Sequence, residues 1–159
     1  MNNKIKSAGE LNRQIIRLKR NGKRIVFTNG CFDILHKGHI KLLKKAKSLG
    51  DILVVAINSN VSVRKIKGPG RPINTMADRA AVLSAISFVD YVTVFSEPDP
   101  GRIIGMLKPD ILVKGGDWPK GRIIGRDIVE KYGGKVQIVK LKKGYSTTRL
   151  VNAIARRSR

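Results

Sequence analysis

Residues 24–49 read RIVFTNGCFDILHKGHIKLLKKAKSL, and the fold follows from this stretch. Ile25-Val26-Phe27 is an apolar, β-rich run that breaks at Thr28-Asn29-Gly30. Phe32-Asp33 then leads into His36-Lys37-Gly38-His39, after which Leu42, Leu43, Ala46 and Leu49 recur at helical spacing. The pattern predicts a strand, a tight glycine-containing turn and a helix start. His36 and His39 are the only 2 histidines of the chain. Residues three apart share a helix face, so both rings can address one ligand. A helix N-terminus presents unpaired N–H groups and the positive end of a dipole, which favour an anion. The stretch reads as a phosphate site.

Outward from it, the chain alternates. Ser7-Ala8-Gly9-Glu10 has capping-box spacing, and Leu11, Ile15 and Leu18 continue a helix within 1–22 that stops at Asn21-Gly22. Strands are predicted over 24–28, 52–57, 91–95, 111–114 and 135–139. Helices are predicted from about His39 to Leu49, over 76–86 behind the N-cap Thr75, after Glu97-Pro98-Asp99-Pro100 to Leu107, and near 123–132. The segment 58–74, with KIKGPGRPIN, reads as a polar, glycine-rich loop. Gly144-Tyr145-Ser146-Thr147-Thr148 opens a last helix with Leu150, Val151 and Ile154 facing inward, and 156–159 reads as a frayed basic tail. Such alternation predicts an α/β, Rossmann-like, doubly wound parallel five-stranded sheet with helices on both faces, one domain over 1–159. Ligands bind such sheets beyond the carboxyl ends of the strands, where loops 28–39, 58–74 and 115–118 leave.

Composition narrows the function classes. With 159 residues, 42% hydrophobic and 28% charged, the chain is a globular domain with a real core. No run approaches the ~20 apolar residues of a membrane span, and MNNKIKSAGE lacks a signal-peptide segment. A single cysteine, Cys31, points to a reducing, cytoplasmic compartment. The net charge of +22 raises nucleic acid as a partner. Against this, the cations are spread along the chain, Lys41, Lys44, Lys45 and Lys47 alternate with apolar positions as a solvated face does, and aromatics are only 5%. Attraction of phosphorylated small substrates accounts for part of the excess.

Gly30-Cys31-Phe32-Asp33 followed by His36-Lys37-Gly38-His39 resembles the GxFD…HxGH signature of the nucleotidyltransferase superfamily that includes the cytidylyltransferases. Within it, the chain looks most like the heptose 1-phosphate adenylyltransferase domain of ADP-heptose synthesis, from about Arg24 to about Ile154. Lys114-Gly115-Gly116-Asp117-Trp118 matches the VKGG-Asp-aromatic form of that branch, where glycerol-phosphate cytidylyltransferases carry GDD. Leu141-Lys142-Lys143 lacks the arginine those enzymes place before their STT motif. The resemblance implies transfer of AMP from ATP to D-glycero-β-D-manno-heptose 1-phosphate, with Mg²⁺ on the nucleotide, small-molecule partners and a homodimer. It also implies a product for lipopolysaccharide core or another surface glycan, and a separate kinase to supply the substrate.

The resemblance also assigns residues. His36, His39 and Lys67 are the catalytic set, and Asp33, Lys65 and Arg71 meet the substrate. The nucleotide falls to Thr28, Asn29, Gly30, Cys31, Phe32, Gly38, Arg79, Lys114, Gly116, Asp117, Ser146, Thr147 and Thr148. Asp33 has two readings, a carboxylate that orients the turn through backbone bonds or one that touches a metal through water. Ser146-Thr147-Thr148 can cap a helix, close on a triphosphate, or do both. No carboxylate cage for a metal is visible in the sequence. Glu97-Pro98-Asp99-Pro100 departs from the heptose branch, which carries threonine before the second proline, so an α-anomer with GTP and a glycerol-phosphate or other cytidylyltransferase stay open. A nucleic-acid-binding module and a nucleotide sensor without turnover are the readings from other classes.

Overall fold

The structure is a computed structural model that describes residues 4–116, 119–140 and 146–157. Ser7 opens α1 (Ala8–Arg20) with the capping box seen in the sequence, its hydroxyl accepting from Glu10 N while Glu10 accepts from Ser7 N. Five strands follow: β1 (Ile25–Gly30), β2 (Ile52–Asn58), β3 (Tyr91–Phe95), β4 (Ile111–Gly115) and β5 (Lys135–Val139). Between them run α2 (Lys37–Lys47), α3 (Asn60–Lys67), α4 (Met76–Ser84), α5 (Gly101–Leu107), a short 3₁₀ turn (Lys120–Arg122) and α6 (Arg126–Lys131), and α7 (Thr147–Arg157) comes last. All strand pairs are parallel, in the order β3-β2-β1-β4-β5. This is the Rossmann-like, doubly wound five-stranded sheet that the alternation predicted. Strand order reverses beside β1, so the crevice between β1 and β4 opens at the carboxyl edge.

Strand period two sorts the core into two layers. Ile25, Phe27, Val54, Ala56 and Leu112 point to the layer formed with α1, α5 and α6. Val26, Leu53, Val55, Ile57 and Val113 point to the layer with α2 and α4, through Leu42, Leu43, Ala46, Ala80 and Leu83. Helices therefore cover both faces, and the inner strands are buried on both sides, as continuous apolar runs require.

At the amino edge, three aspartates each stand one residue before a strand and cap the neighbouring strand. Asp110 accepts from Ile25 N at 2.7 Å and from Lys19, Asp90 from Leu53 N at 2.7 Å and from Lys47, and Asp51 from Arg24 N at 2.8 Å. The first N–H groups of β1 and β2 are thereby satisfied and the register is fixed.

Four expectations need correction. Segment 58–74 is not all loop, because Ser59 caps α3 by accepting from Ser62 N, Val63 is buried, and Gly68 ends the helix at φ +91°. Lys65 and Lys67 thus ride the last helical turn, where cations suit the dipole. The helix predicted near 123–132 is shorter, running from Arg126 behind Gly125 at φ +92°. In α7 no residue is fully buried, and Leu150 and Ile154 are 38% and 61% exposed, so its apolar spacing is not an inward face. Helical order also reaches Arg157, within the supposed frayed tail.

Candidate functional site

The histidine turn stands on one side of the carboxyl end of β1 and a crevice on the other. On the α2 side, His36 is the N-cap, its Nδ1 accepting from Gly38 N at 3.1 Å. A neutral His36 therefore carries its proton on Nε2. His39 sits one turn on, and the two rings stack with centroids 3.8 Å apart and planes 20° apart. Phe32 backs His39 at 5.1 Å and adopts φ +46°, a conformation that turns its ring inward to the α2 layer. Burial, and then the His36 charge, lower His39 to about 4, and burial lowers His36. Both rings are neutral at pH 7, so they can stack without repulsion and act as hydrogen-bond donors. His39 Nδ1 is buried with no partner among the described residues.

The histidine turn is tied to the loop before α4 by Asp33. Its carboxylate accepts from Arg71 Nε at 2.8 Å and from Ile73 N and Asn74 N at 2.9 Å, while Asn74 Nδ2 donates to Asp33 O. Burial alone would raise this carboxyl, but the Asn74 and Ile73 N–H groups and Arg71 hold it below its ordinary value. Asp33 thus latches Arg71 and the loop before α4 to the histidine turn. Arg79 is a second brace. It is 2% exposed and spends its guanidinium on Cys31 O, Asn60 Oδ1 and Asn74 O at 2.7, 3.0 and 3.2 Å. It ties three loops together beneath the site. Thr28 is buried as well, its hydroxyl donating to Val113 O across the β1–β4 junction at 3.0 Å.

Other predicted residues lie around the same edge of the sheet. Lys67 lies close enough for its charge to act on the Cys31 thiol, whose pKa burial raises. Gly30 ends β1 with the Phe32 ring 3.1 Å from where a Cβ would stand, so a larger residue would push that ring off His39. Ser146 caps α7 by accepting from Arg149 N at 3.1 Å, and Thr147 donates to Ile34 O at 3.3 Å, bringing this helix start to the histidine loop. Thr148 is exposed beside them, as are Lys65 and Lys67 on α3. Gly116 follows β4 at φ +112°, its N–H donating to Val139 O. Asp117 and Trp118 lie outside the described residues, as do Leu141 to Tyr145.

On the opposite face, Asn29, Asn58 and Lys114 share the strand phase of Phe27, Ala56 and Leu112 and line a crevice of about 180 Å³. Lys114 Nζ donates to Asn29 Oδ1. Ile66, Asp99, Arg122 and Ile123 complete the walls. Asn58 and Arg122 were not singled out from sequence, and Asp99 only as the residue standing where the heptose branch carries threonine. Asn58 could have been, because like Asn29 it is the polar residue ending an apolar inner strand. Nothing separates Arg122 from the other cations in the sequence.

Among the described residues, no carboxylate cage for the implied metal forms, and no three His, Cys, Asp or Glu side chains gather to ligate an ion. Asp33, the buried carboxylate nearest the histidines, is already occupied. A resident Mg²⁺ does not fit these residues, and no step is drawn through one.

A model of the cytidylyltransferase-like family matches residues 27–153, from the middle of β1 into α7. The chain belongs to the cytidylyltransferase-like family. Its relatives include the "Bifunctional protein HldE" of Syntrophotalea carbinolica, 52% identical over 86% of this chain and 28% of that protein. The protein of the same name from Campylobacter jejuni is 49% identical over 95% of this chain and 31% of its own length. The chain thus spans less than a third of these relatives. A solved lipopolysaccharide core biosynthesis protein from Thermoplasma volcanium is 33% identical with a TM-score of 0.65, covering 78% of this chain and 100% of that one. A pantoate–β-alanine ligase from Francisella tularensis, 19% identical with a TM-score of 0.68 over 93% of this chain and 72% of that one, shows the same fold. These matches bear out the resemblance to HxGH nucleotidyltransferases and to the heptose branch. Among the described residues of this cytidylyltransferase-like chain, no helix is long and apolar enough to cross a membrane.

Proposed function

We propose that the chain transfers AMP from ATP to D-glycero-β-D-manno-heptose 1-phosphate, giving ADP-heptose and pyrophosphate. The observation that carries this reading is the stacked, neutral imidazole pair at the N-terminus of α2, beside the reversal point of a parallel sheet. That arrangement supplies donors and a dipole to a triphosphate and no nucleophile of its own. The nucleophile is an oxygen of the sugar phosphate. It attacks the α-phosphorus, the bond from that phosphorus to the bridging oxygen breaks, and its electron pair leaves with pyrophosphate. Such chemistry asks a protein for positioning and charge stabilisation. His36 Nε2–H and the His39 ring donate to phosphate oxygens as charge builds, while Lys67 and Lys65 add positive charge from α3. The start of α7, with Ser146, Thr147 and Thr148, offers its N–H groups from the other side. Gly30, Cys31 and Gly38 provide backbone against the phosphates, and Gly116 and Asp117 are assigned to ribose or base. Asp33, Arg71 and Arg79 hold these loops in place. Mg²⁺ enters as a companion of the triphosphate.

The likeness to bifunctional relatives and to a lipopolysaccharide core biosynthesis protein supports a sugar nucleotide destined for a surface glycan. A homodimer acting in the cytoplasm completes the proposal. Light scattering at micromolar concentration checks the dimer. The deciding experiment is pyrophosphate release across ATP, CTP and GTP, each crossed with both anomers of heptose 1-phosphate and with glycerol 3-phosphate. Turnover confined to ATP and the β-anomer supports the reading. Preference for GTP with the α-anomer, or for CTP with glycerol 3-phosphate, overturns the substrate, and no release with any pair overturns the enzyme.

A further inference from the structure

The crevice on the α5/α6 face is not needed to hold a triphosphate over the histidines, which lie on the α2 face. Its floor carries an uncommon group. Lys114 points inward from β4, largely buried, and donates to the neutral amide oxygen of Asn29. An ammonium has three donors, and no carboxylate among the described residues pairs with this one. A cation taken out of water against one neutral acceptor is under-compensated, and an arriving anion would repair that.

We infer that Lys114 is the specificity-determining residue for the acceptor, its ammonium receiving the phosphate of a sugar phosphate on the crevice floor beside Asn29 and Asn58. This rests on the transferase reading above and moves Lys114 from the nucleotide to the other substrate. Three features support the assignment. Asn29, Asn58 and Lys114 lie on the face of the sheet away from the histidines, so a phosphate there approaches the end of β1 from the side opposite the triphosphate. That is the geometry an in-line displacement needs. The crevice, about 180 Å³, falls below the ~300–1,000 Å³ of pockets for larger ligands. It therefore suits a monosaccharide better than a nucleotide. Its walls pair apolar Ile66 and Ile123 with Asp99 at the lip, matching the C–H and hydroxyl surfaces of a sugar. Burial also pulls Lys114 down to about 8, leaving the charge easily lost unless an anion holds it.

The test separates acceptor from nucleotide. Calorimetry gives the Kd for ATP, and steady-state pyrophosphate release gives KM for heptose 1-phosphate, for the wild type, Lys114→Met and Lys114→Arg. Loss of one charge-assisted contact should raise the acceptor KM of Lys114→Met by about 10–100-fold. Its ATP Kd should stay within about twofold, and Lys114→Arg should recover part of the loss. An unchanged acceptor KM, or ATP weakened as much as the acceptor, overturns the role of Lys114 and leaves the transferase reading standing. Failure of the wild type to bind ATP or release pyrophosphate overturns both. Should Lys114→Met not fold, competitive acylation of the wild type read by mass spectrometry decides. Heptose 1-phosphate should protect Lys114 severalfold and ATP alone should not, and the reverse pattern would sink the inference.

Discussion

The two ends of this sheet solve opposite problems with the same few residue types. At the amino edge, Asp51, Asp90 and Asp110 are set against strand N–H groups, and Lys47 and Lys19 close the charge of the last two. Each of these three carboxylates has its answer inside the protein. At the carboxyl edge, His39 Nδ1 has no partner among the described residues and the Lys114 ammonium rests on a neutral amide. Charge satisfied internally makes a clamp, and charge left under-satisfied makes a site. If that contrast is right, substitutions at the two ends should separate stability from activity.

The largest effect belongs to the carboxyl edge. His39→Ala should lower kcat by about 10²–10³-fold, the cost of losing one preorganised donor to developing charge. Its urea midpoint should stay near that of the wild type, because the ring forms no hydrogen bond through Nδ1 that folding would lose. Normal turnover in this variant would remove the imidazole pair from the chemistry. Next comes Asp33, which stands at the site but behaves as a clamp. Asp33→Asn keeps the shape but weakens four bonds to Arg71, Ile73 and Asn74. It should cost about 2–3 kcal/mol in urea unfolding, and it should lower activity as the histidine turn loosens. At the amino edge, Asp110→Asn should cost about 1–2 kcal/mol, discounted because the carboxylate is 40% exposed. Its kcat and both KM values should not change. A fall in kcat there would mean that the two ends are mechanically coupled.

The same contrast explains what could be read from the sequence. The sheet was legible because inner strands are near-continuous apolar runs, and three of the five strands are announced by an aspartate one position earlier. The histidine turn was legible because a cap, a glycine and a three-residue spacing are local signals. α3 was hidden because its helical face carries a single fully buried apolar residue, Val63, among polar and β-branched neighbours. The bracing bonds of Arg79 and Asp33 were hidden for a related reason. A buried brace and a ligand contact use the same residue types, and the partners, Asn60 Oδ1 for Arg79 and Asn74 N for Asp33, come together only in the fold. The inward face expected of α7 failed because helical spacing specifies amphipathicity and not what covers it. The strand phase of Lys114, which puts it on the face opposite the histidines, becomes visible only once the register of β4 against β1 is known.

The smallest effect sharpens the comparison from the side of pH. His39 is lowered from 6.5 to about 4 in the fold, first by burial and then by His36. The unfolded chain therefore takes up this proton before the native state does. Stability from keeping the ring neutral is complete above about pH 6.5 and declines as pH falls toward 4. His36, shifted in the same direction by burial, adds to the decline. Asp33, held below 3.8, begins to lose its contribution only at lower pH, so the two ranges are distinct. The Tm of the wild type should drop between pH 7 and 4.5, by about 2–4 °C for each kcal/mol lost. In His39→Asn the drop should be smaller, since the titrating ring is gone. Saturating ATP should flatten the wild-type curve further, because a triphosphate beside the rings favours their charged form and reverses the cause of the shift. A wild-type curve unaltered by ATP would place the nucleotide away from the histidines, and the division between a satisfied edge and an unsatisfied one would then have to be drawn elsewhere on the sheet.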